Sequence, residues 1–125
     1  MIISTIRINA DSASKDEILE ILFSVKGPTE GQPGCISCTI HQNLLANHLI
    51  TYVEVWKNKA GLYKHIRSPL YRSILAAIDM SCELPDIKFS SVLDIDGMEL
   101  IKTALNFVDT EERNNKTFAK QHLNS

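Results

Sequence analysis

Excess charge of either sign, long apolar runs and an even set of cysteines are all missing from this chain. Its 13 Lys and Arg against 15 Asp and Glu leave a net charge of −2. No basic stripe is available to follow a phosphate backbone, and the few aromatics are not interleaved with Arg or Lys, which argues against nucleic acid as a partner. Apolar runs extend for only a few residues, far below the roughly 20 that a membrane-spanning helix needs, so no membrane association is expected. Met1-Ile2-Ile3-Ser4 carries neither a charged leader nor a long apolar segment behind it, and a soluble cytoplasmic protein is the expectation. Three cysteines make a poor disulfide scaffold. Cys35-Ile36-Ser37-Cys38 has redox spacing, but it falls in a strand-like stretch, where residues three apart point to opposite faces. Both are expected to be ordinary buried or half-buried thiols. His41 and His48 flank a hairpin without a carboxylate or thiol nearby, so no metal site is expected there.

What is present suits one globular domain. With 125 residues, 44% hydrophobic and 22% charged, the chain can bury a single two-layer core. No internal repeat or low-complexity segment appears. Ile2 to Ile8 reads as a first strand. Ser14-Lys15-Asp16-Glu17 reads as a capping box opening a helix whose stripe is Ile18, Leu19, Ile21, Leu22 and Val25, with Gly27-Pro28 as its stop. Cys35 to Gln42 and His48 to Lys57 read as strands joined by a turn over Asn43 to Asn47. Asn58 can cap a short helix to about Ile66, and Ser68-Pro69 can cap and start the next, with Leu70, Ile74, Leu75 and Ile78 toward a core. Ile87 to Asp96 reads as a fourth strand. Asp96-Gly97-Met98-Glu99 then opens a helix with Met98, Ile101, Leu105 and Val108 on one face.

That order predicts an α+β fold: a ferredoxin-like β-α-β-β-α-β arrangement with a four-stranded antiparallel sheet and helices on one face. The boundaries expected are a 1–108 domain and a polar 109–125 extension. Along the third strand Ile50, Tyr52, Glu54 and Trp56 point one way, and Leu49, Val53 and Val55 the other. Both sets include apolar residues, so a second copy is expected to cover the sheet face that the helices leave open, as a symmetric homodimer. Glu54, Trp56 and His65 are expected to surround one small, mostly apolar cavity.

Glu54-x-Trp56, His65-x-x-Ser68-Pro69 with Tyr71, Gly34-Cys35 entering the second strand and Ile95-Asp96-Gly97 leaving the fourth resemble the antibiotic biosynthesis monooxygenase family, from about Ile2 to Ile101. The resemblance implies a dimeric α+β barrel and a reaction in which O2 oxidises a small hydroxylated aromatic or quinol, with no metal or flavin cofactor. Such a substrate supplies its own electrons once deprotonated, so the protein needs a cavity, a base and a donor for the anion. His65 would be the base, Trp56 an aromatic wall and donor, and Glu54 the group orienting His65 or a substrate hydroxyl. Tyr52, Tyr71 and Arg72 would bind substrate, as would Asn9, which resembles the strand-one Asn of haem-degrading relatives. Departures from the family pattern are Leu70 in place of a second histidine after the proline, Tyr52 in place of an Asn, and Leu62 near an expected Tyr. His65 and Leu75 stand where haem-degrading relatives carry a Trp and an axial His, which disfavours haem cleavage.

Plainer readings stand beside these. Trp56 can be a core indole, Tyr63 and Tyr71 packing residues, and His65 a cap at the end of its helix. Glu54 can pair with Arg7 or Lys64, because an inward carboxylate without a partner is costly. Two other functions fit the same residues: a non-oxidative isomerase or small-carbonyl enzyme, and a non-catalytic ligand-binding or assembly module.

Overall fold

Ile2, Ser4, Ile6 and Ile8, three of them apolar, alternate inward along Ile2–Asn9, which forms β1, one of the two inner strands of the sheet. The computed structural model describes residues 1–106. In it β1 is followed by α1 (Lys15–Glu30), β2 (Cys35–Gln42), β3 (Leu49–Trp56), α2 (Lys59–Ile66), α3 (Pro69–Asp79) and β4 (Asp86–Ser91), then by a helix, α4, over 98–106. The strands are ordered β2-β3-β1-β4 and every neighbouring pair is antiparallel. This is the expected ferredoxin-like α+β arrangement. Met1–Leu93 forms one compact unit and a second begins at Asp94. In the second, α4 starts with Leu100 N–H donating to Gly97 O (3.0 Å), and Met98, Ile101 and Leu105 are exposed. Val108 and the expected 109–125 extension lie outside the described residues. Among these residues no helix is long and apolar enough to cross a membrane.

One sheet face is closed by helices. Ile2, Ser4, Ile6 and Ile8 of β1, with Ile50, Tyr52, Glu54 and Trp56 of β3, are buried on it. Against them α1 sets Ile18, Leu22, Val25 and Thr29, and α3 sets Tyr71, Ile74, Ala77 and Ile78. Each large apolar side chain so buried stabilises the fold by about 1.5–3 kcal/mol before entropy is counted. The other face leaves Ile3, Thr5, Leu49, Val53 and Val55 half-buried.

Several local expectations are corrected. Gly27-Pro28 does not stop α1, which runs on to Glu30. Thr29, fully buried, anchors the last turn, and Gly31 N–H donates to Gly27 O at 3.1 Å. The Ser14 hydroxyl makes no cap, because Asp11 Oδ1 already holds the turn by accepting from Ala13 N–H, Ser14 N–H and Ser14 Oγ–H. β4 ends at Ser91 because its ladder with β1 ends there: Ile2 pairs with Ser91, and Val92 N–H donates to Met1 O at 2.8 Å. Leu75 faces outward from α3, about half exposed. A register irregularity between Cys35 and Ser37 sets Cys35 opposite Trp56 and Cys38 opposite Glu54, so both thiols lie on the helix-side face rather than on opposite faces. They are free, Cys38 buried and Cys35 half-buried.

Candidate functional site

Three local features bring β3 and α2 together. Asn58 Oδ1 accepts from Gly61 N–H (3.0 Å) and so fixes where α2 begins. A Cβ at position 61 would meet Pro33 O at 3.2 Å and Trp56 Cε3 at 3.3 Å, so glycine lets α2 lie directly on the indole. At the far end Ser68 Oγ–H donates back to His65 O (2.6 Å), while its backbone caps α3 ahead of Pro69. Asn58 and Ser68 thus bracket α2, and His65 turns inward.

There it meets Glu54. His65 Nε2 lies 2.9 Å from Glu54 Oε2, Tyr52 O–H donates to the same oxygen at 2.6 Å, and Trp56 Nε1–H donates to Oε1 at 2.9 Å. Cys38 Sγ sits 3.2 Å from the Tyr52 hydroxyl. The Trp56 and His65 rings lie 4.9 Å apart at 31°, and Tyr71 stands edge-on to His65 at 5.2 Å and 84°. Glu54, Trp56 and Tyr52 are 0% exposed and His65 1%. A carboxylate so deeply buried is tolerated only with partners, and here three donors surround it. Neither Arg7, exposed on the sheet's other face, nor Lys64 is among them.

The surroundings set the proton positions. Burial, reinforced by the Glu54 charge, raises Tyr52 far above the ordinary phenol range, and the same two causes push Tyr71 up to about 12. Burial raises Cys38 to about 11 and lifts Cys35 in the same direction. These groups therefore keep their protons at neutral pH and serve as donors, not bases. Because a carboxylate oxygen only accepts, the imidazole N–H belongs on Nε2, which leaves Nδ1 as the open ring position. Nδ1 is buried without a hydrogen-bond partner among the described residues.

The expected cavity bounded by Glu54, Trp56 and His65 is not what is seen: these side chains are sealed from solvent and do not line the neighbouring cleft. A cleft of about 340 Å³ instead opens beside them, lined by Ile2, Leu62, Ile66 and Phe89, with Lys59, Tyr63 and Ser91 adding polar atoms. Ile2 and Leu62 pack on Trp56 and form the wall between cleft and cluster, with Ile66 against them. Tyr52 and Tyr71, expected to bind substrate, lie against Glu54 and His65, Tyr52 as a donor to Glu54, and do not line the cleft. Arg72 is exposed on α3 and is not brought in. Asn9 lies at the opposite end of β1 from the cleft, on the other sheet face, where its backbone bonds Ser81 and Cys82. His41 and His48 are exposed, and His41 bonds Thr39 Oγ1 at 2.9 Å. Among the described residues no group of three or more His, Cys, Asp or Glu is arranged to hold a metal.

Sequence reasoning missed Ser4. It is 1% exposed, pairs with Glu54 across β1 and β3, and its hydroxyl has no partner among the described residues. The signal was available in the alternation Ile2, Ser4, Ile6, Ile8, which puts a lone hydroxyl on the apolar face.

Known proteins share this architecture. The structure of Rv0793 from Mycobacterium tuberculosis superimposes with a TM-score of 0.69 at 15% identity, over 77% of this chain and 98% of that one. A conserved protein from Methanosarcina mazei Go1 does so at 0.68 and 22%, over 74% and 92%. A structure described as an antibiotic biosynthesis monooxygenase gives 0.67 and 13%, over 75% and 100%. At such identities these likenesses show the fold. In sequence, an uncharacterized protein of Synechocystis sp., sll1783, is 22% identical over 95 residues, 75% of this chain, which spans 63% of that relative's length. The model of the antibiotic biosynthesis monooxygenase family matches residues 1–77, which take in β1 through most of α3 and every member of the Glu54 cluster. The chain belongs to the antibiotic biosynthesis monooxygenase family.

Proposed function

We propose that the protein oxidises a small hydroxylated aromatic with O2, without a cofactor, using Glu54 and His65 as a paired base. The observation that carries this reading is the 2.9 Å contact between Glu54 Oε2 and His65 Nε2, which leaves Nδ1 as a buried acceptor one residue from the cleft-lining Ile66. Glu54 fixes the ring's tautomer and orientation, as a carboxylate does for the histidine of a serine-hydrolase triad. The aromatic substrate occupies the cleft between α2 and β4, and its hydroxyl passes the Ile66 side chain to reach Nδ1. Proton transfer to Nδ1 leaves an electron-rich phenolate. O2 then adds at a ring carbon bearing hydrogen. One oxygen atom stays as a second carbonyl, the other leaves as water with the two hydrogens, and the product is a quinone. Trp56 acts here as a wall behind Ile2 and Leu62, and Tyr52 as a positioning residue for Glu54.

A second copy covers the half-buried sheet face of Ile3, Thr5, Val53 and Val55 in this reading. Val53→Asp should convert a dimer to a monomer in analytical ultracentrifugation.

The test of the reaction is oxygen consumption with a panel of quinols and naphthols, with and without air. We expect substrate loss only in air, falling at least about 100-fold in His65→Gln. Equal loss with and without air would remove the oxidase reading. The sealing of Glu54, Trp56 and His65 also favours a second reading, a non-catalytic ligand-binding module whose polar cluster is structural. Unchanged ligand affinity in His65→Gln, with no turnover in either protein, would select it.

A further inference from the structure

We infer that Ser4 Oγ and His65 Nδ1 together form a hydroxyl-binding site that receives the aromatic ligand's O–H; this rests on the reading of His65 given above. Buried polar side-chain atoms are nearly always hydrogen-bonded, so those without a partner call for an explanation. Among the described residues they are Ser4 Oγ, Thr29 Oγ1 and His65 Nδ1. Thr29, on α1, has the Tyr52 hydroxyl at hand. The other two sit on residues that both border Glu54.

Ser4 pairs with Glu54 on one side and with Phe89 on the other. Side chains opposed across antiparallel strands have Cβ atoms roughly 4.5–5.5 Å apart. Ser4 therefore stands between the carboxylate that holds His65 and a residue that lines the cleft. Its neighbour on the same face toward the cleft is Ile2, and the residue after His65 is Ile66, both cleft-lining. The residues that carry the two unpartnered atoms therefore both adjoin residues that line the cleft.

Their chemistry is complementary to a single functional group. Nδ1 accepts, because Nε2 carries the ring proton toward Glu54, and a serine hydroxyl donates. A phenolic O–H satisfies both at once, donating to Nδ1 and accepting from Ser4. After the proton moves to Nδ1, the phenolate oxygen accepts from Ser4 O–H and from the new Nδ1–H, while the Glu54 carboxylate faces the imidazolium. No atom is left over. An ether can accept from Ser4 but has no proton to give Nδ1, and a bare ring does neither.

The test uses the full chain, wild type and Ser4→Ala, with 2-naphthol and its methyl ether as probes under anaerobic conditions. Affinities come from NMR titration, and the ring nitrogens of His65 are followed by 15N shift. Wild type should prefer 2-naphthol over the ether, with a shift at Nδ1. Ser4→Ala should weaken 2-naphthol roughly three- to tenfold, and the ether by no more than that. Its thermal midpoint should hold or rise, since the variant deletes a buried hydroxyl that no described residue satisfies. Equal 2-naphthol affinity and an equal Nδ1 shift in both proteins would overturn the role of Ser4 while leaving His65 as the base. Absence of any Nδ1 shift in wild type, or of 2-naphthol binding, would overturn the role of His65 and the site with it.

Discussion

The two ends of the helix-covered sheet face are built to different specifications. Toward α1 and α3 the interior is continuous and apolar: Ile6, Ile8, Ile18, Leu22, Val25, Ile50 and Ile74 are each at most 1% exposed. Toward α2 the buried apolar set shrinks to Ile2, Trp56 and Leu62, and the space beyond it opens into the cleft. Between them runs a polar seam of Ser4, Glu54, Tyr52 and His65, and Ile66 packs against both sides. A small closed core of seven aliphatic side chains could have been continued under α2 at no cost in area. The seam instead spends hydrogen bonds to keep a carboxylate and an imidazole dry. The contrast teaches that one side is held by apolar burial, while the side that would carry the proposed chemistry is held by hydrogen bonds to one carboxylate.

Removing Glu54 would break that contrast most severely, because it strikes stability and the proposed chemistry together. In Glu54→Ala the Tyr52 hydroxyl, the Trp56 N–H and His65 Nε2 all lose their acceptor. Leaving those three buried donors without an acceptor costs about 1–3 kcal/mol for each, together a large share of the stability of a domain this size. Urea unfolding should show that loss. Oxidation by the folded fraction should fall by at least about 100-fold, because His65 would lose the partner that sets its tautomer. A variant with full stability would show that the seam is not where these groups are held.

Ile74 provides the opposite case. It lies on α3 at 1% exposure, within the apolar side and away from the cleft. Ile74→Ala should cost about 2–5 kcal/mol through lost burial and the cavity left behind. The turnover of the molecules that remain folded should stay within about twofold, since one RT-sized change in the barrier is all that a well-separated site should feel. Rates normalised to the folded fraction in a urea series would check this. A drop as deep as that of Glu54→Ala would mean that the two sides are mechanically one.

Much of this division was legible in the sequence, and its limits have identifiable causes. Period-two alternation in Leu49–Trp56 is enough to put Tyr52, Glu54 and Trp56 on one face, and the Asn58 cap with the Ser68-Pro69 restart is enough to turn His65 toward them. What alternation cannot report is the free volume between side chains. Three hydrogen bonds to one carboxylate draw these side chains together, and the cleft opens on the other side of Ile2 and Leu62. Parity also fails where a strand is irregular, as between Cys35 and Ser37, which returned both cysteines to one face. Pro28 shows a third limit: burial of Thr29 outweighs a missing N–H in the last helical turn.

Alkaline pH offers the mildest probe of the seam, and its sign follows from Tyr71. Burial first, and the Glu54 carboxylate second, raise this phenol from its ordinary 10.0 to about 12 in the folded protein. Below pH 10 both folded and unfolded chains hold the proton, so the contribution of the group is fully present. Above pH 10 the unfolded chain releases it while the folded one does not, and stability falls until pH 12, where both have ionised. Two pH units of separation correspond to about 2–3 kcal/mol over that window. Cys38, raised from 9.0 to about 11 chiefly by burial, adds a loss of the same sign beginning one unit lower. Urea midpoints measured at pH 9 and pH 11 should therefore drop steeply in wild type and less steeply in Tyr71→Phe, so that the difference between the two proteins changes with pH. Parallel curves would place the Tyr71 hydroxyl in contact with water and outside the dry seam around His65.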